Sequence, residues 1–161
     1  MDERVRKKLL DTSSELSLYA AGSPSGIDEV FSFQPAVEME AATSERLSLF
    51  TIMLAQYLIT VQVRFNTSRV IASQKKKVLE RKVFVLLQKG KIEGKTLKER
   101  EANAIASEPE LQLLEQDYDE QAAERDLLDG LDKPIIELIN ALKSELRRRQ
   151  EERHYMEKER H

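Results

Sequence analysis

The chain has 161 residues, of which 34% are charged and 40% apolar, with 5 glycines, 4 prolines, no cysteine and a formal net charge of −3. That length suits one domain with a small appendage, and the composition favours long charged helices over a compact mixed sheet. The lack of cysteine excludes disulfides, thiolate nucleophiles and cysteine-held metals, and the two histidines, His154 and His161, sit in a charged tail.

The opening "MDERVRKKLL" is charged and has no apolar stretch behind it, so it does not read as a secretory signal. Residues 2–20 predict a short helix, with Val5, Leu9, Leu16 and Tyr19 at helical spacing. "GSPSG" (22–26) breaks it, and residues 1–35 read as an N-terminal arm whose Phe31 and Phe33 dock elsewhere. Residues 36–161 read as a long helical hairpin with its turn near 89–96. From Ala41 to Gln88 there is no proline or glycine, which permits one continuous helix. Two runs inside it, "ITVQVRF" (59–65) and "KVFVLL" (82–87), have strand-like patterns. Helix is preferred because no turn residues bound them, and Ile71, Val78 and Val85 recur every seven residues. The most apolar run, 47–63, is shorter than the ~20 residues that span a bilayer.

"KGKIEG" (89–94) breaks the helix. Thr96 with Glu99 predicts a capping box, and Ser107 with Glu110 a second one, with Pro109 in its first turn. A last helix is predicted from about Glu108 into the tail. It carries Leu114, Leu128, Ile135 and Leu142 in register and is kinked rather than ended by Gly130 and Pro134.

Charge is distributed in blocks. Residues 69–100 hold 11 basic and 3 acidic side chains, net +8; residues 101–133 hold 2 basic and 11 acidic, net −9. Doubling back near residues 90–96 lays these blocks against each other as an antiparallel, coiled-coil-like hairpin. Lys75, Lys76, Lys77, Arg81 and Lys82 then approach Glu108, Glu110, Glu115 and Asp117. The expected fold is all-α. Because 47–63 is apolar nearly all round, the N-terminal arm, other copies of the chain, or both must cover it, and a homo-oligomer is expected.

Few motifs suggest chemistry. "GKIEGKT" (90–96) is one residue short of a phosphate-binding loop, whose wrapping amides require the full length, and reads as a helix–helix turn. The acidic run "EQDYDEQAAERD" (115–126) has no histidine nearby and reads as a charged helix face rather than a metal site. "NTS" (66–68) fits a glycosylation pattern but falls inside a helix. No nucleophile, base and orienter assemble, so no enzyme, cofactor, metal or small-molecule substrate is expected. The basic stretch Lys75, Lys76, Lys77, Arg81 and Lys82 has two readings: pairing with the acidic arm, or neutralising nucleic-acid phosphates. Only Phe65 and Phe84 lie close enough to offer base stacking.

The succession of "LAQYLITVQVRFNTSRVIASQKKKVLERK", a short basic loop, "TLKEREANAIASEPELQLLEQDY" and "LLDGLDKPIIELINALKSELRRR" resembles small helical-hairpin phage proteins, among them the UvsY-like recombination mediators. The likeness covers roughly residues 45–150. It implies oligomers that bind single-stranded DNA and help load a recombinase onto strands coated by a single-strand-binding protein. It also makes Lys75, Lys76, Lys77, Arg81 and Lys82 the DNA contacts. A cytoplasmic location is expected, that of the host if the chain is phage-encoded. The alternative function is a structural or adaptor protein whose hairpin serves only protein–protein contact.

Overall fold

In the computed structural model, residues 26–90 and 92–159 are described; the predicted helix over 2–20 lies outside them. Among the described residues every regular element is an α-helix and there is no strand. The helices are α1 (Ile27–Ser32), α2 (Pro35–Glu38), α3 (Ser44–Gln88), α4 (Leu97–Ser107), α5 (Pro109–Leu128) and α6 (Asp132–Glu159). The fold is all-α, and both strand-like runs lie within α3.

Local chemistry sets the boundaries. At the start of α3, the Arg46 amide donates to the Thr43 hydroxyl at 3.2 Å. The helix then runs uninterrupted for 45 residues. It closes where Gly90 takes φ 70°, a left-handed conformation natural to glycine just past a helix end. Thr96 and Glu99 form the predicted capping box. The second predicted box does not form, because Ser107 is the last residue of α4 and its hydroxyl donates to the Ala104 carbonyl at 2.9 Å.

The last helix is also divided rather than kinked. Gly130 adopts φ 73° between α5 and α6. Pro134 lies in the first turn of α6, where its missing N–H costs no hydrogen bond. The apolar register resumes after this turn, which is why the sequence pattern looks unbroken.

The chain divides into two compact units. One comprises Met1–Val63 with Leu128–His161. Its core takes Leu47, Phe50, Leu54, Tyr57 and Val61 from one face of α3, together with Ile27, Val30, Phe31 and Phe33. Leu128, Leu131, Ile135, Leu138 and Leu142 are buried as well. Phe31 and Phe33 dock as expected: Phe31 meets Tyr57 edge-on at 5.0 Å, and Phe33 meets Phe50 at 5.2 Å. The Arg46 guanidinium sits 5.1 Å from the Phe50 ring centre while pairing with Glu29 at 2.9 Å. Arg149 of α6 donates to the carbonyls of Met39 and Ala42, both at 2.7 Å, and so ties down the chain before α3.

The other unit is Arg64–Leu127. Leu79, Val83, Ala104 and Leu111 form its core, with Leu86, Leu87, Ile92, Ile105 and Leu114 packed against it. The buried Ser68 and Ala72 continue the same face of α3 with small side chains. The seven-residue series at Ile71, Val78 and Val85 is not this packed face: Val78 and Val85 are exposed, and the buried row lies one position along, through Ala72 and Leu79.

By length and composition α3 is long and apolar enough to cross a membrane, its most apolar 18-residue window having a mean hydropathy of 1.3 with one third of it buried in protein.

Candidate nucleic-acid interface

The five candidate cations occupy eight residues of α3, and the structure separates them. Lys75 donates to Asp117 at 2.8 Å, and Lys82 pairs with Glu110. Lys76 lies 3.9 Å from Glu80, one turn along its own helix. Lys77 and Arg81 are exposed and have no ion pair among the described residues.

Helix geometry accounts for this division. At about 100° per residue, Lys75 and Lys82 fall within ~20° of each other, and Lys77 lies ~160° away from Lys75. Two cations therefore face α5 and are engaged there by carboxylates, though both pairs stay partly exposed. Lys77 and Arg81, one turn apart, share the outer face with Phe84, which lies ~20° from Lys77 on the side away from Arg81 and is 60% exposed. Of the two aromatic candidates, Phe65 is half-buried and has the Arg69 guanidinium 6.0 Å from its ring centre. Phe84 is the open one.

The acidic side is partly engaged. Asp117 and Glu110 take the two inward lysines, while Glu108 and Glu115 form no ion pair with the candidate cations among the described residues. A further pair was missed from sequence: Arg64 donates from Nε and Nη2 to the same Glu124 oxygen, at 2.9 and 2.6 Å, and both side chains are partly buried. The register set by Lys75–Asp117 and Lys82–Glu110 brings Arg64 within about one turn of Glu124, so that spacing held the signal.

Two grooves flank this part of the unit. One, of about 360 Å³, runs beside Arg81, Lys82 and Val85. The other, of about 440 Å³, is bordered by Phe84, Leu87, Leu97, Ile105 and Tyr118. Phe84 thus stands at the rim of an apolar groove with Lys77 and Arg81 on its outer side.

At the turn, the Lys95 and Thr96 amides both donate to the Glu99 carboxylate, at 2.8 and 3.3 Å. A phosphate placed there would compete with a resident anion. Among the described residues no three metal-ligating side chains come together.

In the other unit, Arg148 and Arg149 converge on Glu145 at 2.8 and 2.6 Å. Their hydrogen bonds hold the Glu145 carboxyl at about 2, well below its usual 4.5. The same carboxylate raises the Arg148 guanidinium. This cluster holds Arg149 on the Met39 and Ala42 carbonyls and leaves it no role as a free cation.

No family model, curated protein or solved structure matches the chain.

Proposed function

We propose that this is a non-enzymatic accessory protein that binds single-stranded DNA through the outer face of α3. Lys77 and Arg81 contact phosphates and Phe84 stacks on a base. The observation that carries this reading is the sorting of the cations: two basic side chains free of ion pairs among the described residues share a face with an open aromatic ring. Charge that neutralises phosphates beside a stacking platform is the usual equipment for sequence-tolerant single-strand binding. In this reading Lys75 and Lys82 set register, and residues 36–161 form an antiparallel hairpin turning near 89–96. The order of the ion pairs along the chain supports that arrangement. The chain assembles with copies of itself, for which the exposed Val85, Leu97 and Leu113 offer apolar surface. By its resemblance to UvsY-like mediators it works alongside a recombinase and a single-strand-binding protein in the cytoplasm.

The engagement of Lys75 and Lys82 favours a second reading, an adaptor whose charges serve only its own folding. Fluorescence anisotropy with a labelled oligonucleotide at rising salt separates the two. Binding at low salt that weakens steadily supports the DNA reading; absence of binding at low salt by an intact, folded sample leaves the adaptor.

A further inference from the structure

Between Arg46 and Arg64, α3 carries no charged residue over 47–63. One side of this stretch is buried through Leu47, Phe50, Leu54, Tyr57 and Val61. The opposite side carries Leu49, Ile52, Ile59 and Val63, each more than half exposed, with the exposed Gln56 at its centre. These five positions are spaced 3, 4, 3 and 4 apart, a heptad seam suited to another helix.

The seam is nearly symmetrical about Gln56. Leu49 and Val63 lie seven residues to either side of it, Ile52 four before and Ile59 three after. Turned end for end, the series therefore meets itself. Gln56 falls opposite Gln56, Leu49 opposite Val63, and Ile52 opposite Ile59 with an offset of ~1.5 Å, the rise of one residue. A carboxamide carries both donor and acceptor, so two glutamines on a two-fold axis satisfy each other, as two lysines or two glutamates could not. An isologous contact requires this self-complementarity.

We propose that this seam is a two-fold contact with a second copy of the chain, the two α3 helices antiparallel and Gln56 on the axis. Charge selects the direction. The exposed Glu45 lies within ~20° of Gln56 around the helix, so a parallel pair would set Glu45 against Glu45. In the antiparallel pair the two carboxylates stand ~33 Å apart along the contact. With the exposed Ser48, Ala55 and Gln62 beside it, the seam presents roughly 700 Å² per copy, close to the ~800 Å² per partner of a standard interface. An uncharged face offers a charged peptide or a nucleic acid nothing to pair with. A lipid surface is the poorer occupant, because Ser48, Gln56 and Gln62 would exchange water for acyl chains that form no hydrogen bonds. The contact deepens the self-association proposed above and uses none of Lys77, Arg81 or Phe84, so it and DNA binding stand or fall separately.

The chain has no cysteine, so disulfide mapping on the full-length protein needs no background removal. Under mild diamide, Gln56→Cys should give an interchain dimer, read by non-reducing gel and intact mass. Leu49→Cys mixed with Val63→Cys should give the mixed dimer. Leu49→Cys by itself, its two copies ~21 Å apart, should stay reduced. Adding Ile59→Glu to Gln56→Cys should remove most of the linked product, because it sets a charge against the partner's Ile52; an unchanged yield would count against the contact. Absence of a Gln56→Cys dimer, or equal linking of Leu49→Cys alone, would overturn the proposal. If light scattering then still shows an oligomer, the seam is lost but self-association through another surface stands. Co-sedimentation of the wild-type protein with phosphatidylcholine vesicles, with Gln56→Cys unlinked, would overturn it as well and assign the face to lipid. The substituted positions are all exposed, and unchanged far-UV circular dichroism checks that each variant is folded.

Discussion

Replacing Lys77 and Arg81 with alanine should abolish most single-strand binding, whereas replacing Lys75 and Lys82 should leave it nearly intact. The magnitude follows from the sorting of charges on α3. Each phosphate neutralised on a single strand contributes about −0.7 to the slope of log affinity against log salt. Two contacts per engaged chain give a slope of about −1.4, so affinity falls ~7-fold between 50 and 200 mM salt. Were all five cations used, the slope would be about −3.5 and the fall over 100-fold. Anisotropy with a labelled oligothymidylate across that range separates the two cases. The Lys75→Ala/Lys82→Ala variant should show its effect elsewhere. Its ion pairs are partly exposed, worth roughly 0.2–1 kcal/mol each, so urea unfolding should shift by less than ~2 kcal/mol. Loss of binding in Lys75→Ala/Lys82→Ala, with an unchanged salt slope in Lys77→Ala/Arg81→Ala, would refute the assignment.

Phe31→Ala removes a fully buried ring and its edge contact with Tyr57, and should cost about 3–5 kcal/mol in urea unfolding. Gly130→Ala should cost about 1–2 kcal/mol although nothing stands within 4 Å of the new methyl, because the whole penalty lies in the positive φ. Glu145→Gln should destabilise the chain at neutral pH by freeing Arg149 from its anchor. A carboxylate held low in the folded state stabilises fully above its ordinary 4.5 and loses that contribution as pH falls towards about 2. Urea midpoints of wild type and Glu145→Gln should thus stay apart down to about pH 4.5 and converge only near pH 2; convergence already at pH 4 would contradict the arginine clasp.

The all-helical class was legible because long, uninterrupted, highly charged segments leave few other options. So were the Thr96–Glu99 cap and the docking of Phe31 and Phe33, which rest on local rules and on large apolar side chains needing cover. The break at Gly130 was hidden because the apolar period continues in phase on either side of it. Periodicity reports which face is buried, and two helices sharing one face do not interrupt it. The packed row of α3 was not legible from the helical spacing of Ile71, Val78 and Val85, because the row that packs includes the small Ser68 and Ala72. The basic stretch showed its charge in sequence, but not its division, since only the direction of the acidic arm decides which lysines are engaged.

That division links affinity to assembly. If the proposed face binds single strands, two cations without an ion pair among the described residues and one ring would make a site a few nucleotides long, and two phosphate contacts alone bind weakly at physiological salt. Useful affinity then requires several copies to engage one strand, where tethering multiplies weak contacts by effective concentration. On the proposed reading, assembly would therefore be part of the binding mechanism, and it would need a surface that leaves Lys77, Arg81 and Phe84 open. The exposed Val85, Leu97 and Leu113 offer apolar surface on the unit that carries the cations. Copies joined through them would hold their basic faces close together, as binding along one strand requires.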